Sequence, residues 1–268
     1  MHTYDLTMTI DQAETAAIGP LLREWRHHRK ISQLDLSIDA DISSRHLSFV
    51  ETGRSKPSRD MVLRLAERLD IPLRERNQLM LAAGFAPAYT RLDLDADGMR
   101  PIKSAIEQVL AAYEPFPALV VDRGWHLVAA NATLPMLLAG LPDDLLAPPV
   151  NVLRASLHPD GLAPRIINLG EWRGHVLERL GREIAVTASD ELRDLYEELI
   201  EYPGGIEPGS PEGQVAVPLR LRSDAGELRF VSTVTTFGTA VDVTLAELSI
   251  EAFLPANPDT ADALRSLG

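Results

Sequence analysis

Serines placed at helix starts divide the first 85 residues of this 268-residue chain into short segments. Ser32, Ser43 and Ser58 each stand before an amphipathic run, where a hydroxyl can accept a hydrogen bond from a free N–H group of a helix's first turn. Gly19-Pro20 can begin an earlier helix and Pro72 a later one. The pattern predicts an all-α module of five short helices over residues 1–85.

The charge distribution separates this module from the rest of the chain. Residues 19–76 hold 12 Lys and Arg against 9 Asp and Glu, whereas residues 77–268 hold 14 against 27. The net charge of -13 therefore conceals a basic segment. Because binding to phosphates depends on clustered basic residues, only the first module fits a nucleic-acid partner.

The second and third predicted helices have the spacing of a helix-turn-helix. The turn falls at Asp39-Ala40-Asp41, and the small side chain of Ser37 lets the two helices approach. Trp25 and Leu65 are assigned to the core together with the residues expected between the two helices, which are Leu36, Ala40, Ile42, Leu47 and Val50.

The exposed side of the third helix carries the candidate DNA contacts. Arg45 can make two hydrogen bonds to a guanine, and Phe49 can press on a thymine methyl group. Gln33 is placed to bind a phosphate, Arg54 and Lys56 add positive charge, and His46 either binds DNA or covers the surface. The full set of candidates is Gln33, Ser43, Ser44, Arg45, His46, Ser48, Phe49, Arg54 and Lys56. The alternative is the solvated face of a small helical bundle or a protein-binding module.

Residues 18–84 resemble the Cro/repressor-like, or XRE, family of bacterial regulators. The resemblance rests on Ser32-Gln33, the run from Ser43 to Glu51, Gly53-Arg54 and Pro57-Ser58. The turn departs from the family, because Asp41 stands where a glycine is usual, but aspartate tolerates the left-handed conformation. The resemblance implies sequence-specific binding to double-stranded DNA.

Residues 86–100 form a linker-like stretch. The pattern of residues 101–268 predicts an α+β domain with a roughly five-stranded antiparallel sheet. Asn131 is a candidate helix cap, and residues 203–213 read as a loop. Helices are expected near 102–113, 131–139, 151–157, 165–182 and 189–201, and strands at Ala118–Val121, Trp125–Ala130, Val215–Arg222, Leu228–Thr236 and Leu245–Leu254.

The second domain carries no catalytic signature. It has no Gly-x-Ser-x-Gly elbow, no phosphate-binding glycine loop and no His-Glu-x-x-His, and His126, His158 and His175 are not spaced as a local metal site. The chain has no cysteine, which excludes disulfides and thiolate ligands. We expect no catalytic residues, no metal and no cofactor.

Residues 101–268 resemble the MmyB-like ligand-binding family, a PAS-like domain that follows such helix-turn-helix modules. The phrases that carry the resemblance are Pro117 to Trp125, Ala130-Asn131, Asn151-Val152-Leu153 and His158-Pro159. The resemblance implies a sheet with helices across one face, enclosing a pocket for a small apolar ligand such as a fatty acid.

Two local patterns supply candidate ligand contacts. The strand containing Trp125 and Leu127 is apolar on both faces, so one face can line a cavity, although ordinary core packing is the alternative. A row of five side chains at helical spacing can hold a carboxylate head group on one helix face. The alternatives are that Gly170 breaks the helix or that the row is a solvated face. The row is Arg165, Asn168, Trp172, His175 and Arg179, and the candidates are Trp125, Leu127, Asn131, Arg165, Trp172 and His175.

These observations predict a transcription regulator with a ligand-sensing second domain. One recognition helix reads few base pairs, so a homodimer is expected. The alternatives are an enzyme anchored to DNA and a constitutive DNA-binding dimer. Because the start, Met1 to Glu14, lacks signal-peptide features and no apolar run reaches about 18 residues, we expect a cytoplasmic protein without membrane contact.

Overall fold

A computed structural model describes residues 17–207, 216–224 and 226–267. The chain divides into two compact units, Met1–Tyr89 and Thr90–Gly268. The N-terminal residues used above to argue against a signal peptide lie outside the described residues, as does most of the loop expected over 203–213.

The described part of the first unit consists of five α-helices, which confirms the expected all-α module. Three of them begin at the predicted serines: Ser32 accepts a hydrogen bond from the Asp35 backbone N–H, and Ser43 and Ser58 do the same at their own helices. The helices are α1 (Ile18–His28), α2 (Gln33–Asp39), α3 (Ser44–Glu51), α4 (Arg59–Arg68) and α5 (Leu73–Ala82).

A tight turn joins α2 to α3. Asp41 has φ 52°, the left-handed conformation expected for a residue that replaces glycine there. Gly19 has a different requirement, because a Cβ atom there would lie 2.6 Å from the Glu51 carbonyl oxygen. The glycine therefore lets the start of α1 approach the end of α3. The predicted core of this unit is buried, with Trp25 at 8% exposure and Leu36, Ala40, Leu47, Val50 and Leu65 at 0%; Ile42 is half-buried.

The second unit is an α+β domain whose described strands form one antiparallel sheet in the order β2-β1-β5-β4-β3, which confirms the predicted PAS-like class. The strands are β1 (Ala118–Val121), β2 (Leu127–Ala130), β3 (Leu219–Ser223), β4 (Gly226–Thr236) and β5 (Ser249–Pro255). The helices are α6 (Arg100–Ala112), α7 (Leu134–Leu138), α8 (Val152–Leu157), α9 (Leu169–Thr187), α10 (Asp190–Glu201), α11 (Val243–Ala246) and α12 (Pro258–Leu267), with 3-10 turns at Asp97–Met99 and Ala163–Arg165.

Side chains alternate between two cores along the sheet. Leu119 and Phe253 belong to the larger core, which includes buried residues of α7 to α10 and α12. Val120 and Ile250 belong to a smaller core with Ile106 and Leu110 of α6. Helices therefore cover both faces of the sheet, whereas the family resemblance implied helices across one face.

Several local features of the second unit differ from the prediction. Val243–Ala246 is a short helix capped by Asp242, whose side chain accepts from the Leu245 N–H, so the last strand begins at Ser249 and not at Leu245. The terminal helix α12 was not predicted. Trp125 does not lie in β2, because its φ of 64° places it in the turn that precedes the strand.

Asn131 does not cap a helix. Its side-chain oxygen accepts from the Ala118 N–H at 3.1 Å, and its amide donates to the Phe116 carbonyl at 2.8 Å. These bonds join the end of β2 to the start of β1, so the buried Asn131 side chain holds two backbone segments together.

Candidate functional site

The recognition surface is the exposed side of α3 with the loop after it. Leu47 and Val50 are fully buried on the inner side of α3. At the N-terminal end of this helix, Ser43, Ser44 and Arg45 are exposed. Ser48 and Phe49 are half-buried on the helix, and Arg54 and Lys56 are exposed beyond it. The arrangement can place the N-terminal end of α3 in a major groove.

Phe49 brings two predicted DNA-contacting arginines together. The guanidinium carbon of Arg45 lies 5.3 Å from the centre of the Phe49 ring, and that of Arg54 lies 5.9 Å from it. A cation over an aromatic face within about 6 Å is attracted by the ring. Phe49 therefore orients both guanidinium groups on one surface, a role that sequence spacing did not indicate.

Gln33 already has a protein partner. Its side-chain amide donates to Glu51 Oε2 at 3.0 Å, and that carboxylate is paired with Arg26 through an Nε–Oε1 distance of 2.8 Å. To contact a DNA phosphate as predicted, the Gln33 amide would have to form a second hydrogen bond or give up its bond to Glu51. Sequence reasoning did not single out Glu51, although an acidic residue next to the buried Val50 is a usable signal for a buried ion pair.

His46 is half-buried, and its Nε2 atom is buried without a hydrogen-bond partner among the described residues. The ring therefore covers part of the module's surface, which is one of the two roles expected for it. Its contact with DNA stays a prediction.

A second candidate site lies in the second unit, in a cavity of about 70 Å³ between the sheet and the helices α7 to α9. Its walls are mainly aliphatic and aromatic, as binding sites for apolar ligands require. The lining residues are Leu119, Trp125, Leu134, Leu137, Leu138, Val150, Val152, Leu153, Ala155, Ser156, Leu162, Trp172, His175, Val176, Arg179, Leu219, Ser232, Glu251 and Phe253.

Arg179 and Glu251 line the cavity, and together with Glu183 they form a charged cluster. Arg179 Nε donates to Glu183 Oε1 at 3.2 Å, and Arg179 Nη1 lies 2.5 Å from Glu251 Oε1. The Glu251 side chain is 8% exposed, that of Arg179 19% and that of Glu183 33%. Two carboxylates thus share one guanidinium in a largely dry environment.

Trp125 connects the cavity wall to this cluster. Its indole N–H donates to Glu183 Oε2 at 2.8 Å, and the Arg179 guanidinium carbon lies 4.4 Å from the ring centre. The backbone holds Trp125 at φ 64°, a conformation that costs free energy for a side chain of this size. The surrounding contacts therefore fix this tryptophan in one orientation at the cavity.

Burial shifts the pKa values of three titratable groups, Glu251, Glu183 and His175. It raises the pKa of both Glu251 and Glu183, and the attraction of Arg179 opposes this in each case. Burial also lowers the pKa of His175, and the positive charges of Arg179 and Arg182 lower it further. His175 is therefore a neutral ring near pH 7.

Three predicted ligand contacts line the cavity: Trp125, Trp172 and His175. The Trp172 indole N–H donates to the Ser156 hydroxyl at 3.2 Å, and the rings of Trp172 and His175 lie 5.6 Å apart. Gly170 does not break the helix, because α9 runs continuously from Leu169 to Thr187.

The other three predicted ligand contacts do not line this cavity. Leu127 packs against the larger core. Asn131 binds backbone groups, as described above. Arg165 lies in the 3-10 turn before α9, and its guanidinium donates to the carbonyls of Leu137 and Ala139 at 3.0 and 3.2 Å. The expected row on one helix face therefore excludes Arg165, and its next member, Asn168, stands at the N-cap position of α9.

Sequence reasoning missed both acidic members of the cluster. Glu251 lies within β5 between Ile250 and Ala252, and an acidic residue inside an otherwise apolar strand indicates a buried partner. Glu183 gives a weaker signal, since its spacing of four residues from Arg179 is equally typical of a solvated ion pair.

No helix between residues 17 and 267, within the described ranges, is long and apolar enough to cross a membrane. In the same ranges no group of three or more histidine, aspartate or glutamate side chains is placed to hold a metal ion.

Two family models match the chain. A helix-turn-helix domain covers residues 17–79, and the ligand-binding domain of MmyB-like transcription regulators covers residues 102–267, which is more than half of the chain. No curated protein matched it significantly. A DNA-binding domain joined to a ligand-binding domain is the composition of a ligand-responsive transcription regulator. The chain therefore belongs to the MmyB-like transcription regulator family.

Proposed function

We propose that this protein binds specific DNA sequences through α3 and changes its DNA affinity when an apolar small molecule enters the cavity of the second unit. The observation that carries the proposal is the cavity itself, because its walls are mainly apolar and include the ion pair of Arg179 with Glu251. Pockets of that composition bind the body of a ligand by burial and fix its orientation by polar contacts.

The size of the cavity indicates how a ligand could act. At about 70 Å³ it is roughly half the volume of a cavity known to take benzene, about 150 Å³. A longer ligand must move the lining side chains and the helices that carry them. Such a ligand binds the widened conformation better than the closed one, and this difference in affinity is what shifts a protein between two states.

Fatty acids are the first ligands to test, because the family resemblance suggests them and because an aliphatic chain matches the leucine-rich lining. We further propose that the regulator is a homodimer, with the recognition surface of each copy on one half-site. One recognition helix contacts only a few base pairs, which is too little for selection among genomic sites.

An enzyme anchored to DNA is less well supported by the same cavity. The Ser156 hydroxyl accepts a hydrogen bond from Trp172, and no hydrogen bond joins it to His175 in the described part of the chain. A nucleophile without a base in hydrogen-bond reach lacks the usual activation. Arg179 also holds the acidic groups of the cavity in ion pairs.

The test is a calorimetric titration of the full chain with saturated fatty acids of increasing length, with and without a fragment of its own promoter region. We expect binding, and we expect DNA to change the ligand's affinity by the same factor as the ligand changes that of DNA. Absence of heat and of any thermal shift with every acid would contradict the proposal for this ligand class.

Two leucine substitutions, each at an alanine position, test whether the ligand binds in this cavity. Ala155 is 2% exposed and lines the cavity, so Ala155→Leu should fill it and abolish binding at a stability cost of about 1–3 kcal/mol. Ala132 is exposed, so Ala132→Leu is the matched control and should bind as the natural chain does. Equal binding by both variants would place the ligand elsewhere.

A further inference from the structure

Arg179 supplies the positive charge among the described residues that line the cavity. Its guanidinium carbon lies 4.4 Å from the ring centre of Trp125, and a guanidinium presents planar N–H donors that match a carboxylate. Burial lowers the pKa of the cavity-lining His175, and the positive charges of Arg179 and Arg182 lower it further. The wall therefore disfavours a second cation and favours an anionic head group.

A carboxylate that binds Arg179 meets two carboxyl groups of the protein at the same guanidinium. Arg179 Nη1 lies 2.5 Å from Glu251 Oε1, and Arg179 Nε donates to Glu183 Oε1 at 3.2 Å. The next charged groups along α9, Arg182 and Glu178, pair with each other at 2.6 Å. One guanidinium does not neutralise three ionised carboxyls, and like charges repel strongly where water is excluded. We therefore expect one of the three carboxyls to hold a proton when the ligand is bound.

Glu251 is the carboxyl whose position suits that proton. Its side chain is 8% exposed and lines the cavity, whereas that of Glu183 is 33% exposed and lies behind the wall. Burial raises the pKa of both groups, but Glu183 also accepts the Trp125 indole N–H at 2.8 Å, a bond that stabilises its ionised form. Protonation of Glu251 therefore relieves the repulsion at the place where the ligand's carboxylate lies.

Three elements supply the groups around Glu251 in the described part of the unit. Its partners in the sheet are Leu119 of β1 and Val234 of β4, which do not titrate. The charged groups that act on it, Arg179 and Glu183, both belong to α9. His175 of α9 lines the same cavity as a neutral ring, so it is the other protein group that could take up a proton there.

We infer that a ligand's carboxylate binds Arg179 while Glu251 is protonated and donates a hydrogen bond to that carboxylate. The inference rests on the proposed function, since it names the head group and its partners in the same cavity. Where Glu251 is ionised in the free chain, it takes one proton from water for each ligand bound, and the new O–H group turns an acceptor into a donor. The alkyl chain then lies among the leucines of the lining.

Two ligands of equal chain length test it: octanoate and octan-1-ol, titrated calorimetrically into the full chain at several pH values from 5.5 to 9.5. The affinity of octanoate should fall about tenfold per pH unit once the pH exceeds the pKa of Glu251 in the free chain. The uncharged alcohol should bind equally at every pH. An octanoate affinity that is constant, or that falls in parallel with that of the alcohol, would overturn the inference and leave the proposed function standing. So would binding of the alcohol alone. If neither ligand binds, both are overturned for ligands of this size.

Two variants assign the proton. Glu251→Gln keeps the shape of the side chain and always presents an N–H donor, so it should bind octanoate without the decline at high pH. Glu178→Gln removes an equally charged group that is exposed on the same helix, and it should keep the decline. A decline that persists in Glu251→Gln would place the proton on His175 or on the ligand and contradict the assignment. If that variant does not fold, the pH series on the natural chain still decides whether a proton is bound together with the ligand.

Discussion

Arg26 and Glu51 form a two-point ion pair that joins α1 to the end of the recognition helix. Arg26 Nε donates to Glu51 Oε1 at 2.8 Å and Nη2 donates to Oε2 at 3.0 Å. The two side chains are 10% and 3% exposed. Since Gln33 of α2 also donates to Glu51, one carboxylate connects three helices of the DNA-binding unit.

Glu51→Ala should therefore destabilise the DNA-binding unit by about 3 kcal/mol, because it leaves the Arg26 guanidinium buried without its partner. Chemical unfolding of the full chain, followed by circular dichroism, measures the loss. Glu67→Ala is the control, since Glu67 is exposed and its removal should change stability by less than about 0.5 kcal/mol. Equal losses in both variants would contradict the role of the pair.

Arg45 and Lys56 should differ in what they contribute to DNA binding. Arg45→Ala removes the expected base contact, so it should cost about 1–3 kcal/mol on the preferred site and relax the preference there. Lys56→Ala removes only positive charge, so it should weaken all sequences alike and lower the salt dependence. Competition binding on site variants at two salt concentrations separates the two effects. A similar change of specificity in both would refute the distinction.

The proposed homodimer should set the spacing of its DNA site. Two recognition helices on one face of the duplex require half-sites about 10 base pairs apart, or a multiple of that. Footprinting together with sedimentation on DNA measures spacing and stoichiometry. Insertion of about 5 base pairs between half-sites should abolish tight binding, because it rotates one half-site to the opposite face. A single chain bound to a single site would contradict the dimer.

Glu251 should make stability depend on pH. Because burial raises its pKa in the folded state above the ordinary value of 4.5, the folded chain holds the proton more tightly than the unfolded one. This group's contribution is therefore most favourable below pH 4.5 and declines as the pH rises from there through the folded-state pKa. Glu183 shifts in the same direction.

Glu251→Gln removes that decline, so its melting temperature relative to the natural chain should rise as the pH increases from 4.5 through the folded-state pKa of Glu251. Thermal melts at several pH values measure the difference. Glu178→Gln, at an exposed site, should follow the natural chain throughout. A constant difference between Glu251→Gln and the natural chain over this range would show that the folded protein does not shift this pKa.

The helices of the first unit could be predicted from the sequence because their signals are local. Ser32, Ser43 and Ser58 bond to N–H groups three residues away, and such caps act within a single turn. The exposed side of α3 also follows from helical spacing once Leu47 and Val50 are placed inside. The buried contact between Glu51 and Arg26 does not, because the two residues are 25 positions apart and nothing in their spacing indicates the pairing.

In the second unit the sequence determined the class of fold and three cavity residues, Trp125, Trp172 and His175. The tertiary structure decided the rest. The alternation along β5 permits either face to be buried, and only the pairing of β5 with β1 and β4 places Glu251 on the cavity side, opposite Arg179 of α9. Asn131 and Arg165 were polar residues at positions where a ligand contact was expected, but they bind backbone carbonyls and N–H groups instead. Because nearly every residue carries these backbone groups, the sequence cannot indicate which of them a side chain binds.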